Sequence, residues 1–182
     1  MVNLLLCQSA YVNASQASQA AGKDIIMLES NLVSCGGLDG VNDTFGSALF
    51  AIDDALQLAS VGFYQVFFRS GGAAARHNAF SVPPGNQTGF QQWTIGSNFY
   101  TMLVISEVIG RSGSAQVTDL KLGVRNANSM YVPGYTILEN GVLIKLALFN
   151  YISDPTRASN YDAIVAVPIN QSQVRVKYLH AN

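Results

Sequence analysis

Charge is what this chain has least of: Asp, Glu, Lys and Arg together make up 12% of its 182 residues, and the formal net charge is -1. With a pI near 6.0, such a chain has no field that would gather nucleic acid or an anionic membrane surface. No nucleic-acid partner is expected. Histidine is limited to His77 and His180, far apart in sequence, which leaves little from which to build a zinc site or a Ser-His-Asp triad. The glycine pairs lack the lysine of a phosphate loop and the spacing of a dinucleotide fingerprint, so no metal and no cofactor is expected. Long apolar runs are missing as well. Lys145 interrupts the segment from Val142 to Phe149, and no stretch is expected to span a bilayer. The start, Met1 to Cys7, has no basic residue and too short an apolar stretch for a secretory signal. The only cysteines, Cys7 and Cys35, could pair in a secreted protein, but sequence alone does not bring them within bonding distance.

What is present is apolar. Hydrophobic residues make up 49% of the chain, enough for a sizeable core in one domain or two small ones. Glycosylation sequons begin at Asn13, Asn42, Asn86 and Asn170, a density that fits a secretory history.

The pattern of the chain changes at about residue 110. Before it, helix and strand alternate. Leu4 to Ala21 is alanine-rich, with Ala10, Ala14, Ala17 and Ala21 on one helical face and Gly22 at the C-cap position. The run Ile25 to Leu28 reads as a buried strand. Asn42, Asp43 and Thr44 then offer N-cap oxygens to a helix whose apolar residues Phe45, Leu49, Ile52, Leu56 and Ala59 step by four and three. Phe63 to Phe68 reads as a second buried strand, with Tyr64, Phe67 and Phe68 expected in the core. A stretch holding Pro83, Pro84, Gly85 and Asn86 precedes a third helix that carries Ile95, Phe99, Met102, Leu103 and Ile109. Beyond a linker-like Arg111 to Ser114, only strands are expected, at 116–122, 135–139, 142–151, 162–167 and 174–179. Asn140-Gly141 supplies a two-residue hairpin turn. In the last strand Val174, Val176 and Tyr178 alternate with Arg175 and Lys177. The expected domains are therefore an α/β unit over 1–110 and an antiparallel β-sandwich over 111–182.

Alternating strands and helices imply parallel strands, and ligands of α/β sheets gather at the C-terminal strand ends. Glu29 stands at that end of the first strand, followed by the loop Ser30 to Gly37; Arg69 stands at that end of the second, before Ser70-Gly71-Gly72. The two are expected on one rim. Two strands alone make an incomplete parallel sheet, with edges and apolar faces left for something else to cover.

Several motifs carry a family resemblance. Met27-Leu28-Glu29-Ser30-Asn31 with Ser34-Cys35-Gly36-Gly37, followed by Asp43 to Leu49, is similar to the region around the nucleophile of fungal glycoside hydrolase family 79. Asn78-Ala79-Phe80 with Pro83-Pro84, Gln91 to Gly96, and Tyr135 to Gly141 resemble later parts of the same family. The resemblance implies the last two strand-helix units of a (βα)8 barrel, strands seven and eight, followed by a C-terminal β-sandwich. It implies a secreted β-glucuronidase-like retaining hydrolase acting on a uronic-acid glycoside, with Glu29 as nucleophile. Asn31, Cys35, Gly36, Gly37, Arg69, Arg76 and His77 are then the substrate-binding candidates. The chain departs from the family pattern at Arg69, where a histidine is usual, and near Arg76 and His77, where a tyrosine is usual. Arginine still suits an acidic sugar, because a guanidinium grips a carboxylate with two donors.

A retaining glycosidase needs a second carboxyl group about 5 Å from the nucleophile to protonate the leaving oxygen. In the family that group comes from the fourth barrel strand, which is not among the units read here. The expectation is a chain that holds the nucleophile and relies on a missing N-terminal barrel portion for the acid/base. Asp53, Asp54, Glu107, Asp119 and Glu139 are expected to be solvated surface charges. The competing reading is a non-catalytic remnant, or a carbohydrate-binding or structural β-module.

Overall fold

The computed structural model describes residues 4–72, 75–82, 93–122, 131–154, 156, 158–166 and 173–180, the side chains of 4–10 excepted. Its elements run α1 (Leu4–Ala20), β1 (Ile26–Ser30), α2 (Phe45–Ser60), β2 (Gln65–Phe68), β3 (Phe80–Ser81), β4 (Thr94–Ile95), α3 (Ser97–Ile109), β5 (Ala115–Asp119), β6 (Gly134–Glu139) and β7 (Val142–Leu148). Among the described residues no helix is long and apolar enough to cross a membrane.

β1 and β2 pair in parallel, Ile26 beside Gln65 and Met27 beside Val66, with α2 as the crossover between them. The register then slips by one residue, so that Ser30 stands opposite Phe68. This irregularity falls on Leu28 and Glu29, at the end of the strand. Met27, Val66 and Phe68 are half-buried, while Ile26, Leu28, Tyr64 and Phe67 are exposed. The aromatic cluster at 64–68 is therefore not the buried core expected of it. A two-stranded sheet is covered on one face only, and strand alternation leaves every second side chain on the open face. None of the sheets among the described residues closes into a barrel.

α2 is where the α/β unit meets the rest. Its sequence is apolar almost all round, the signature of a helix buried on several sides, and Ala48, Ala51, Ile52, Ala55, Leu56 and Leu58 are all buried. β5, β6 and β7 form an antiparallel meander. The β6–β7 turn has Asn140 at φ 51° and Gly141 at φ 77°, the paired positive φ values of a type I′ turn. The main core joins Ile52 and Leu56 of α2 to Tyr135 of β6 and to Phe149, with Val104, Ile105, Val108 and Ile109 of α3 packed around them. One core thus spans residue 110. Phe149 sits edge-on to Tyr135 at 6.0 Å and stacks on Tyr151 at 6.1 Å.

Two readings of local structure need correction. Ile95 belongs to β4, paired with Phe80, and not to α3, because the Gly96 N-H donates to the Ala79 carbonyl at 2.9 Å and holds the chain in strand pairing up to the helix start. In α1, Ala14 and Ala17 are exposed, and the helix docks through Tyr11, edge-on to Phe63 at 5.9 Å, and Ser15, whose hydroxyl donates to the Val61 carbonyl. Residues 162–166 and 173–180 form no strand, with Val174, Val176 and Tyr178 exposed. Alternation gives a chain two faces but not a neighbour to pair with. The described part of 111–182 is accordingly one three-stranded sheet, and the expected second sheet of a sandwich is not among the described residues.

Candidate functional site

The C-terminal ends of β1 and β2 border a cleft of about 180 Å³ lined mainly by polar groups, among them Glu29, Ser30, Asn31, Cys35, Asp54, Arg69 and His77. Its volume lies below the roughly 300–1,000 Å³ of sites for drug-sized ligands, so it suits a small polar ligand.

Glu29 reaches it by the slip in β1, which lifts both Leu28 and Glu29 out to solvent. A bulge of this kind re-aims a side chain at a strand end, a device common beside active sites. Arg69 follows the last residue of β2, and its Nη1 donates to Glu29 Oε1 at 3.2 Å; the two side chains are 55% and 57% exposed. An ion pair so open to water is worth about 0–1 kcal/mol. It is cheap to break, so Arg69 is available to an incoming anion. Behind it the backbone is braced: Asn31 Nδ2 donates to the Arg69 carbonyl at 3.2 Å, and Asn98 Nδ2 lies 3.3 Å from Asn31 Oδ1.

His77 and Arg76 part company. His77 lines the cleft and is 1% exposed, so it is not a surface loop residue. Burial, helped by Arg69 and opposed by Glu29, holds its imidazole below the ordinary histidine range, neutral at pH 7. Arg76 does not line the cleft and pairs with Asp39, while its backbone N-H donates to the Gly36 carbonyl at 2.7 Å. Gly36 and Gly37 do not line the cleft, and the Gly37 N-H is already given to the Ser34 carbonyl. Of the loop from Ser30 to Gly37, the cleft is lined by Ser30, Asn31, Val33, Ser34 and, last in sequence, Cys35. Its exposed thiol is free, at φ 58°; the side chain of Cys7 lies outside the described residues.

Two aspartates overturn the surface-charge expectation. Asp54 lines the cleft and accepts the Ser30 hydroxyl at 2.7 Å; burial raises its pKa, the Ser30 hydrogen bond opposing. Asp53 is 4% exposed and accepts from the hydroxyls of Tyr135 at 2.5 Å and Tyr151 at 3.1 Å. The sequence carried part of this signal: a helix as apolar as 45–60 is buried on several sides, so an acid at mid-length lies near a buried face. Asn98 left no such mark, because it reaches Asn31 and the His77 carbonyl from α3 only through the tertiary fold.

The sequon at Asn42 is closed in the folded protein. Asn42 is 0% exposed, its Oδ1 accepts the Leu38 N-H at 2.9 Å, and its carbonyl accepts the Ser97 hydroxyl at 2.7 Å. Glycopeptide mapping of folded protein from a secretory host is expected to find Asn42 unmodified; a glycan there in a cooperatively melting sample would contradict the packing. Asn13 is exposed on α1, and Asn86 and Asn170 lie outside the described residues.

No protein-family model matches the chain, and no curated protein matches it.

Proposed function

We propose that the cleft is the nucleophile half of a retaining glycoside hydrolase site for a uronic-acid glycoside, built on the last two units of a (βα)8 barrel. The observation that carries this reading is the Glu29–Arg69 pair across the ends of two parallel strands, with Glu29 lifted into the cleft by a strand irregularity. Carboxylates at the C-terminal ends of parallel strands are where barrel enzymes place their chemistry. In this mechanism a Glu29 oxygen attacks the anomeric carbon as the glycosidic bond breaks, and Arg69 turns from Glu29 to the sugar carboxylate. The leaving oxygen needs a proton from a second carboxyl group, which the reading assigns to barrel segments outside these residues. As a member of this family the protein would be secreted.

A 2-deoxy-2-fluoro-glucuronosyl fluoride separates the nucleophile from its missing partner, because fluoride leaves without protonation. Intact mass and peptide mapping are expected to find one fluorosugar ester on Glu29, absent from Glu29→Gln. Arg69→Ala is expected to slow trapping at least tenfold while leaving the neutral fluoroglucosyl analogue unaffected. Failure of wild-type protein to trap the reagent would overturn the reading. Turnover of an unactivated glucuronide by the chain alone would move the acid role to Asp54.

A second reading, a non-catalytic carbohydrate-binding or structural module, is favoured by the fact that both carboxylates of the cleft are already engaged, Glu29 by Arg69 and Asp54 by Ser30.

A further inference from the structure

We infer that His77 is the group with which the cleft reads ligand hydroxyls, and that its ligand is a small polyhydroxylated anion whose charged end lies on Arg69. This rests on the cleft being a ligand site, as proposed above, but not on hydrolysis.

Both ring nitrogens of His77 are buried and have no hydrogen-bond partner among the described residues, and the residue is 1% exposed. A buried polar atom left unpaired is destabilising, and an apolar residue of the same shape would serve the fold better. The ring is therefore not there to hold the structure. Its position is fixed by other atoms: the His77 carbonyl accepts Asn98 Nδ2 at 2.6 Å. Next in sequence, Asn78 clamps the 71–72 turn, accepting the Gly71 N-H at 2.8 Å and donating to the Gly72 carbonyl at 2.9 Å. The result is a fixed imidazole with its hydrogen-bonding capacity unspent beside Glu29, Asp54 and Arg69.

A neutral imidazole has one N-H donor and one acceptor nitrogen. A carboxylate can satisfy only the donor, and an ammonium only the acceptor. Hydroxyls do both, and a ligand bearing several of them can satisfy both nitrogens. The anion is specified separately, by Arg69, whose exposed pair with Glu29 is readily exchanged. The two requirements meet in a sugar acid, with hydroxyls on His77 and a carboxylate on the guanidinium.

The test is proton–nitrogen correlation NMR of the imidazole rings during titration of the full chain with sodium D-glucuronate, with D-glucose and acetate as controls. Glucuronate is expected to shift the His77 ring nitrogens and leave those of His180 in place, and to bind at least tenfold more tightly than either control. His77→Phe is expected to weaken glucuronate at least tenfold while its Tm holds or rises by about 2–4 °C, as relief of a buried unpaired group predicts. His77→Asn, which restores a donor and an acceptor, should recover part of the affinity. Absence of glucuronate binding, a His77 ring unmoved at saturation, equal binding by acetate, or a marked fall in Tm for His77→Phe would each overturn the inference. Trapping of the fluorosugar on Glu29 with an unmoved His77 ring would sink this inference and spare the hydrolase reading. A moved ring without trapping would do the reverse.

Discussion

Asp53→Asn is expected to flatten the pH dependence of stability, removing a loss of about 3 kcal/mol that the wild-type protein suffers between pH 4 and pH 7. Burial drives the Asp53 carboxyl from 3.8 up to about 6, with Asp54 and Asp119 adding to the rise and the Tyr135 and Tyr151 hydrogen bonds opposing it. The folded state therefore keeps a proton over a range in which the unfolded chain has released it. That proton's contribution is fully present below about pH 4 and is lost as pH rises through 6. Above that point the folded protein holds a desolvated carboxylate supported by two hydroxyls. The tyrosines themselves stay protonated, because burial and Asp53 both push their pKa values up. Urea unfolding at pH 4, 5, 6 and 7 checks the expectation: the stability difference between wild type and Asp53→Asn should change by about 3 kcal/mol across the series. Parallel curves would show that Asp53 does not titrate in the fold as its burial requires.

The same aspartate shows where sequence reading stops. Helix positions, parallel strand order and the Asn140-Gly141 turn are local matters, set by periodicity, crossover length and backbone φ, and they were legible in advance. So was the meeting of Glu29 and Arg69, because strand ends in a parallel pair share a rim. The state of a carboxyl group is a different kind of fact. Asp53 and Asp54 are neighbours on one helix, yet one is sealed under Tyr135 of β6 and the other opens into the cleft. Which way each faces depends on sheets more than eighty and about twenty-five residues away. His77 is another case: its burial follows from the Asn98 and Asn78 hydrogen bonds, which no local pattern announces. The strands expected after residue 160 misled for the opposite reason, since alternation was present and a pairing partner among the described residues was not.

Gly96→Ala should damage fold and cleft together. A Cβ at this position would stand 1.9 Å from the Asn78 carbonyl oxygen and 3.2 Å from its carbon, and these are backbone atoms that no rotamer change can move aside. The φ of Gly96 is an ordinary -92°, so space and not backbone freedom is what requires glycine. Relief means prying β4 and the start of α3 away from the 78–79 backbone, against the Gly96 to Ala79 hydrogen bond. Overpacking commonly costs about 1–3 kcal/mol, and a clash with main chain belongs at or above the top of that range. Such a loss lowers Tm by roughly 6–12 °C in a chain of this length. The displaced segment is the one that seats His77, and α3 carries Asn98, which braces both the His77 carbonyl and Asn31. The His77 ring nitrogens should therefore shift in the NMR spectrum of the variant even without ligand, while the β6–β7 turn, at the far end of the sheet meander, keeps its wild-type amide positions. A variant with unchanged Tm and an unchanged His77 ring would mean that Gly96 is not wedged against Asn78 and that the cleft does not depend on this junction.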